Sequence, residues 1–454
     1  MRVPNENPFF RRFSTYKGPS NRWQRWLGAA VGLLALAFLV YNIPWVHDRL
    51  AWRLDELRAG IGRIFNPPQE AVFAPAEPAV QPTRPATFTP AETAVAATPF
   101  PTFEPLPPSV MLEGVTFVTQ QGRWNYCGPS TMAMALNFWG WAGDRDDVAE
   151  IIKPGEDNPS MDFIERGKKD KNVMPYEMEN FVNVYTDLRA LTRIGGDPEL
   201  VKRLVANGFP VVTEKGYYEA DYRGIVDWLG HYLFVTGYDE GRQAFIVQDT
   251  WDKNHPGENV DSPYDEFLAG WRSFNYLFIV VYPLDREQEV LDLLGPWADS
   301  QWADRHALEL AQQEAETLTG MDQYFAWFNK GSSHVALFEY VDAAFAYDYA
   351  FQLYAALDDE TYNRPYRMMW YQTGPYWAYY YSARYQDVIN LANITLSTVD
   401  GQVEVLEESI YWRGLARRAI GEIDNAVADF RATVYLNPNF APGWQQLEEL
   451  GATP

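Results

Sequence analysis

The 454-residue sequence predicts an α+β domain followed by an all-α domain, both preceded by a single N-terminal transmembrane helix. Three observations support this prediction. An uncharged apolar run covers residues 26–46. Helix-forming segments and apolar strand patterns share residues 111–284. From residue 290 to residue 454 the chain is helical in pattern and rich in aromatic residues. A chain of this length is expected to hold about two or three domains.

The composition permits large apolar cores and argues against a nucleic-acid-binding role. The chain is 47% hydrophobic and 16% aromatic, and its formal net charge is −24 at pH 7. Binding to nucleic acid requires a basic face, which this balance does not favour. Cys127 is the only cysteine, so an intrachain disulfide is excluded and the fold depends on burial. The sequence has no HExxH motif and no Cys/His cluster, so we expect neither a metal nor a cofactor.

The N-terminal segment predicts a membrane anchor. Residues 26–46 are about as long as the ~20 residues that a bilayer requires, and Trp26, Tyr41 and Trp45 would lie at its two interfaces. Residues 1–25 carry six basic residues against a single acidic one, which favours a cytoplasmic N-terminus. No A-x-A cleavage site follows, so the anchor is expected to remain uncleaved. The sequence therefore predicts a single-pass cell-membrane protein with extracytoplasmic C-terminal domains; the alternative is a buried core helix.

Two connecting segments follow the predicted anchor. Residues 47–65 carry a stripe of leucines and isoleucines at spacings of three and four. This juxtamembrane amphipathic segment can be a short dimerising helix, a helix on the membrane surface or an extension of the anchor. Residues 66–110 are rich in Pro, Ala and Thr, a composition that favours extended polyproline conformations. We interpret them as a semi-rigid linker.

Cys127 stands at the start of an apolar, helix-forming run that extends to about Trp139. A thiol at a helix N-terminus feels the positive end of the helix dipole, which favours the thiolate. Gln121 lies one loop upstream, with Gln120 beside it, and a side-chain amide there can donate to an oxyanion that forms near the sulfur. These residues predict a cysteine nucleophile; the alternative is an inert cysteine in a core helix.

A predicted β-hairpin supplies the groups that a cysteine nucleophile needs. His231 begins a strand over 230–239, and Asp249 ends the partner strand over 244–249. Because the two ends are adjacent in an antiparallel hairpin, Asp249 can reach His231 and act as the orienter of a general base. His255 lies in a polar loop and is interpreted as a surface residue. The other predicted elements are a helix over 198–205 and strands over 209–213 and 274–282.

Residues 113–284 resemble the peptidase C39-like family, a branch of the papain-like cysteine peptidase fold. The resemblance implies that Cys127 is the nucleophile, His231 the general base and Asp249 the orienter of the imidazole. It also implies an oxyanion hole formed by Gln121 and the backbone N–H of Cys127. The matching segments are Gln121 with Cys127-Gly128-Pro129-Ser130, Phe209-Pro210-Val211-Val212, residues 230–239 and Ile246-Val247-Gln248-Asp249.

One departure from the family pattern concerns the third residue of the triad. In the family this residue is often followed by proline, whereas Thr250 and Trp251 follow Asp249 here. Asp252 therefore stays open as an alternative orienter. The chain has no ATP-binding cassette region, so the leader processing known for transporter-linked members is not implied. The resemblance implies amide hydrolysis by a peptidase, and amidase or acyl transferase activity is compatible with the same triad.

The C-terminal third, residues 290–454, resembles tetratricopeptide repeats. Gly414 and Ala426 are the predicted close contacts between paired helices, Phe430 is the aromatic position, and Pro438 is expected to end the second helix. The helix after Pro438 is expected to cap the array. The resemblance implies a concave surface for a peptide or protein partner; the alternative is a plain helical bundle. Two looser copies are predicted around Gly331, Ala343, Tyr347 and Ala350, and around Ala383, Tyr385, Val388 and Ala392.

Two functions are compatible with these features. The first is a membrane-anchored extracytoplasmic cysteine peptidase with a Cys-His-Asp triad, whose repeat domain binds a substrate or partner. The second is a non-catalytic, membrane-tethered scaffold that carries a degenerate C39-like module. The presence of Cys127, His231, Asp249 and Gln121 favours the enzyme.

Overall fold

The computed structural model describes residues 22–43, 46, 72–75, 105–123, 125–153, 172–220, 226–251, 257–357, 364–397 and 406–453. The chain divides after Leu54 into two units, each described by itself. The predicted juxtamembrane segment 47–65 and most of the predicted linker 66–110 lie outside the described residues.

The N-terminal unit contains one described helix, α1, over Arg22–Tyr41. Its large apolar side chains are exposed, with Leu34 at 71% and Phe38 at 68%. Within the described residues, no helix combines the length and the apolar character needed to cross a membrane. The transmembrane helix predicted over 26–46 is therefore not found among the described residues.

The second unit begins with a domain built on one antiparallel sheet, which we call the sheet domain. The order of the described strands is β2-β7-β3-β4-β5-β6, and β1 also pairs with β4. The strands are β1 Ser109–Met111, β2 Leu188–Arg193, β3 Val211–Ala220, β4 Val226–Asp239, β5 Ala244–Gln248, β6 Val260–Pro263 and β7 Phe278–Pro283.

Helices cover both faces of this sheet because the strand residues alternate between two apolar cores. On one face, Met132 and Leu136 of α2 pack with Phe234. On the other, Leu200 of α5 and Trp271 of α6 belong to the core that contains neighbouring strand residues. The helices of this domain are α2 Cys127–Phe138, α3 Arg145–Ile152, α4 Pro175–Tyr185, α5 Pro198–Ala206 and α6 Tyr264–Arg272.

Helix α2, helix α5 and the β4–β5 hairpin form close to where the sequence predicts them, but several strand boundaries differ, three of them by four residues or more. β4 begins at Val226, so His231 lies inside the strand and does not open it. β3 continues beyond residue 213 to residue 220. The strand predicted over 274–282 begins only at Phe278, because Asn275 and Tyr276 have φ values of 53° and 54°, in the left-handed region that a strand excludes.

From Glu287 onward the described part of the second unit is helical, which matches the predicted all-α domain; we call it the helical region. Its helices are α7 Glu287–Leu294, α8 Ser300–Thr317, α9 Gly320–Ala336, α10 Tyr340–Ala356, α11 Met368–Tyr371, α12 Gly374–Tyr381, α13 Tyr385–Ser397, α14 Glu407–Ala419, α15 Ile423–Leu436 and α16 Ala441–Glu449. Single turns of 3₁₀ helix, Leu284–Arg286 and Gly295–Ala298, flank α7.

Close helix pairs in this region depend on small residues. A Cβ atom added at Gly414 of α14 would lie 2.7 Å from the ring of Phe430 on α15, so this position accepts no larger side chain without movement. Gly331 of α9 has the same relation to Tyr347 of α10, at 2.6 Å. The close contact expected at Gly414 is thus present. The assignment of these pairs to tetratricopeptide repeats remains a prediction.

A short part of the predicted linker packs into the helical region. Residues 72–75 are described, and Phe73 is only 3% exposed. Its ring centroid lies 5.0 Å from that of Phe351 and 6.0 Å from that of Tyr379. This phenylalanine therefore belongs to the core of the helical region.

The sheet domain and the helical region share a core. Trp228 of β4 is 1% exposed and clusters with residues of the helical region, including Phe325 at a centroid distance of 6.0 Å. Arg272 of α6 donates to Glu314 of α8 over 3.0 Å. The amide of Asn329 donates to the backbone carbonyl of Arg272 over 2.7 Å. These contacts hold the helical region against β4 and α6 of the sheet domain.

Candidate active site

Cys127 is the first residue of α2 and is partly exposed. The turn before it contains Asn125 in the left-handed region, at φ 48°. Pro129 lies within the first turn of the helix, where backbone N–H groups have no intrahelical partner, so its missing N–H carries no cost. Thr131 donates to the backbone carbonyl of Tyr232 over 3.4 Å. The helix thus presents the sulfur next to β4.

His231 and Asp249 are brought together by the β4–β5 hairpin. Phe234 pairs with Gln248 in this hairpin, so Asp249 comes directly after the last paired residue of β5. The His231 Nε2 and Asp249 Oδ1 atoms are 2.9 Å apart, and His231 is only 5% exposed. This is the contact that the sequence predicts for these two residues.

Backbone contacts hold the Asp249 carboxylate in place. Its Oδ1 atom accepts a hydrogen bond from the Trp251 N–H over 2.9 Å, and its own N–H donates to the Gly257 carbonyl over 2.8 Å. Burial alone would raise the pKa of Asp249, but the charge and hydrogen bond of His231, the Trp251 N–H and the charge of Lys215 lower it to about 2. Asp252 and His255 lie outside the described residues.

The Cys127 thiol and the His231 imidazole interact electrostatically, and each shifts the pKa of the other. Burial raises the pKa of Cys127, but the hydrogen bond and charge of His231, the backbone N–H of Tyr232 and the charge of Lys153 together bring it below its ordinary value. Burial likewise opposes protonation of His231, yet Asp249 and Cys127 raise its pKa to about 10. These opposite shifts favour a thiolate–imidazolium ion pair at neutral pH.

The two glutamines before the cysteine occupy different environments. Gln121, the predicted oxyanion donor, is exposed, and its backbone carbonyl accepts from Arg145 over 3.2 Å. Gln120 is 7% exposed, and its Oε1 atom accepts from the Thr250 hydroxyl over 2.7 Å. The Gln120 N–H also donates to the Thr250 carbonyl over 3.1 Å. Gln120 therefore ties the loop before Cys127 to the residue after Asp249, and the oxyanion role of Gln121 remains a prediction.

Glu214 is a buried acid at this site that the sequence analysis did not identify. It lies on β3 directly opposite Tyr232 of β4 and is 2% exposed. Burial, and then the negative charge of Cys127, raise the pKa of its carboxyl well above the ordinary value. The predicted strand ends at residue 213, because Thr213, Glu214 and Lys215 are consecutive polar residues that interrupt the apolar run. The sequence therefore carries no alternation that would have placed Glu214 in a buried strand position.

Tyr217 forms a second unanticipated contact. It lies on β3, and its ring is edge-on to the His231 imidazole at a centroid distance of 5.7 Å. An aromatic edge against the imidazole limits the rotation of the ring, because it occupies the space on that side.

The described residues contain one group of side chains outside this site with the composition of a metal site. It comprises His334, Glu339 and Asp342 at the connection between α9 and α10. His334 Nδ1 lies 2.7 Å from Glu339 Oε2, so the histidine already has a carboxylate partner. We interpret this group as a local ion pair that closes the α9–α10 turn.

The α+β sheet domain is consistent with the fold of C39-like peptidases, because it contains the residues that match their family model. Residues 112–279 match the model of the Peptidase_C39 like family. No curated protein matches the chain.

Two solved structures resemble part of the chain. One, from Bacillus anthracis, is described as a candidate C39-like peptidase; it is 19% identical, covers 38% of this chain and 96% of its own, and has a TM-score of 0.29. The other is xylellain, a cysteine protease from Xylella fastidiosa; it is 16% identical, covers 40% of this chain and 87% of its own, and has a TM-score of 0.28.

Proposed function

We propose that the chain is a cysteine peptidase in which Cys127, His231 and Asp249 form the catalytic triad. The observation that carries this proposal is the joint placement of the three side chains. A helix N-terminus presents the thiol next to β4, His231 lowers the pKa of that thiol, and His231 Nε2 is 2.9 Å from Asp249 Oδ1. A nucleophile, a base and an orienter in this relation are the groups that acyl transfer requires.

The reaction proceeds in two steps. The Cys127 thiolate attacks the carbonyl carbon of an amide, and a C–S bond forms. The C–N bond then breaks, and the amine leaves with the proton that His231 donates. In the second step His231 takes a proton from water, the resulting hydroxide attacks the thioester, and the C–S bond breaks to release the acid. Asp249 keeps the imidazole oriented throughout.

Alkylation of Cys127 by iodoacetamide tests the nucleophile without a known substrate. Because Cys127 is the only cysteine, labelling of the full-length chain reports on it alone. We expect the second-order rate constant to stay nearly constant from about pH 6 to pH 8, since the ion pair keeps the sulfur ionised. In His231→Ala the rate should instead rise with pH toward the ordinary thiol pKa of about 8.5.

His306→Ala is the matched control for this experiment. His306 stacks on Trp302 in the helical region, at a centroid distance of 4.8 Å, and belongs to no part of the triad. Its alkylation profile should equal that of the unmodified chain. Labelling that rises only at alkaline pH, and equally in all three proteins, would rule out an activated nucleophile and favour the non-catalytic scaffold.

We extend the proposal to an extracytoplasmic location at a membrane. Its support is the basic segment 1–25 before the uncharged run 26–46, together with the exposed apolar side chains of α1. Protease added to intact cells is then expected to digest the part of the chain that follows residue 105. A chain that stays intact under these conditions, but is digested after lysis, would contradict this topology.

The helical region belongs to the proposal as a binding region for a peptide or protein. It carries exposed aromatic side chains, among them Phe338 at 76% and Tyr381 at 52%. Aromatic residues are enriched in protein-binding surfaces because they bury a large area at low entropic cost.

A further inference from the structure

The helical region reaches the catalytic strand through Tyr371. This residue ends the short helix α11 and packs against β4 at Gly230, the residue before His231. A Cβ atom added at Gly230 would lie 2.9 Å from two atoms of the Tyr371 ring. The glycine is therefore the residue type that lets this ring approach the strand.

Contacts on both sides fix the position of Tyr371. Its ring centroid lies 5.8 Å from that of Trp228 and 5.9 Å from that of Phe274, with nearly perpendicular planes in both cases. The amide of Gln372 donates to the Ser273 carbonyl over 2.7 Å. The preceding carbonyl, of Trp370, accepts from the Asn172 amide over 2.8 Å. The turn is thus bound to the sheet domain immediately before and after the tyrosine.

Two tyrosines lie near the catalytic pair. Tyr217 of β3 packs edge-on against His231, and Tyr371 packs at Gly230, the residue before His231. Burial raises the pKa of both phenols, and the negative charge of Cys127 raises it further. One ring comes from the sheet domain and the other from the helical region, so the two parts of the chain build this side of the site together.

We propose that Tyr371 is a specificity-determining residue that forms, with Tyr217, an aromatic wall of the substrate cleft beside Cys127. The wall gives the enzyme a preference for substrates with a flat apolar group next to the reacting carbonyl. Offset and edge-to-face contacts with such a group stabilise it more than burial alone. This inference rests on the peptidase function and names the substrate class of that site.

A pair of alkylating reagents tests the wall without a known substrate. Iodoacetamide and iodoacetanilide react at the same carbon: the Cys127 sulfur forms a C–S bond and iodide leaves. They differ only in the phenyl group of the anilide. The measured quantity is the rate constant for iodoacetanilide divided by that for iodoacetamide. This ratio for the full-length chain is then divided by the same ratio for glutathione.

We expect this normalised ratio to favour the anilide by about threefold or more in the unmodified chain, as an added aromatic contact predicts. Tyr371→Ala and Tyr371→Leu should reduce it to about one, whereas Tyr371→Phe should retain it because the ring is kept. The leucine variant fills most of the space of the tyrosine, so its loss of preference cannot be attributed to a failure to fold. Tyr435→Ala, a change of a tyrosine that is 73% exposed in the same region and has no proposed role, should leave the ratio unchanged.

A ratio that is equal in the unmodified chain and in both Tyr371→Ala and Tyr371→Leu would overturn the proposal. So would a ratio that rises on truncation, since Tyr371 would then obstruct the cleft. Both results are distinguishable from failure of the peptidase function, which is read from the pH profile with iodoacetamide alone.

Discussion

Hydrolysis of a mixture of peptides by the full-length chain is expected to fall by at least about 10³-fold in Cys127→Ala and by a similar factor in His231→Ala. In the proposed mechanism, the first change removes the atom that forms the acyl-enzyme. The second removes the group that would keep the sulfur ionised and protonate the leaving amine. If the two residues act as a unit, the double variant should lose little more activity than either single one. Mass spectrometry of the peptides over time gives the rates.

Two controls make this experiment decisive. His306→Ala changes a histidine outside the site and should retain the rate of the unmodified chain. The iodoacetamide-blocked protein should be as inactive as Cys127→Ala, because Cys127 is the only thiol in the chain. Peptide hydrolysis that persists equally in Cys127→Ala would mean that another group, or a contaminant, carries out the reaction.

The relation of His231 to Asp249 could be predicted from the sequence because it is local. The two residues lie on consecutive strands of one hairpin. Its turn is stabilised by Asp239, whose carboxylate accepts from the Gly241 and Arg242 N–H groups. Such a turn fixes the register, and the register determines which side chains meet. The helix start at Cys127 was likewise predictable from the apolar run that follows it.

The parts of the site that could not be predicted depend on long-range packing. Tyr371 reaches Gly230 only because the helical region docks on β4, and no local pattern specifies that docking. The end of β3 was missed because Glu214 is an acid at a buried position, against the usual preference for exposure. The late start of β7 follows from two non-glycine residues in the left-handed region, Asn275 and Tyr276, which local preferences disfavour.

The free energy of unfolding of the unmodified chain is expected to fall, relative to that of Glu214→Gln, as the pH rises above about 4.5. The carboxyl of Glu214 has an ordinary pKa of 4.5, and in the folded chain burial and the charge of Cys127 raise this value well above it. Below pH 4.5 the Glu214 carboxyl is protonated in both the folded and the unfolded chain, so its titration does not change the free energy of unfolding. Above this pH the unfolded chain releases the proton while the folded chain retains it, so folding becomes less favourable.

The difference in free energy of unfolding between the unmodified chain and Glu214→Gln changes by at most about 1.4 kcal/mol per pH unit. It stops changing at the pH at which the carboxyl ionises in the folded chain as well. Urea unfolding of both proteins between pH 4.5 and pH 7.5 measures it. Glu309→Gln, a change of an exposed acid on α8, is the control and should give a difference that does not vary with pH. The difference isolates Glu214 because the other titrating groups are common to both proteins.

The same variant has a consequence for the thiol. While Glu214 stays protonated it carries no charge toward Cys127, so glutamine, which is also neutral and of similar shape, should leave the pH profile of alkylation unchanged near neutral pH. An ionised Glu214 would instead repel the thiolate, and its replacement would then lower the pKa of Cys127. Two results together would thus show that the acid is charged in the folded chain. The difference in free energy of unfolding between the two proteins would not vary with pH, and Cys127 would be alkylated faster in Glu214→Gln. The buried carboxyl would then work against the ion pair, and the charges of His231 and Lys153 would have to outweigh it.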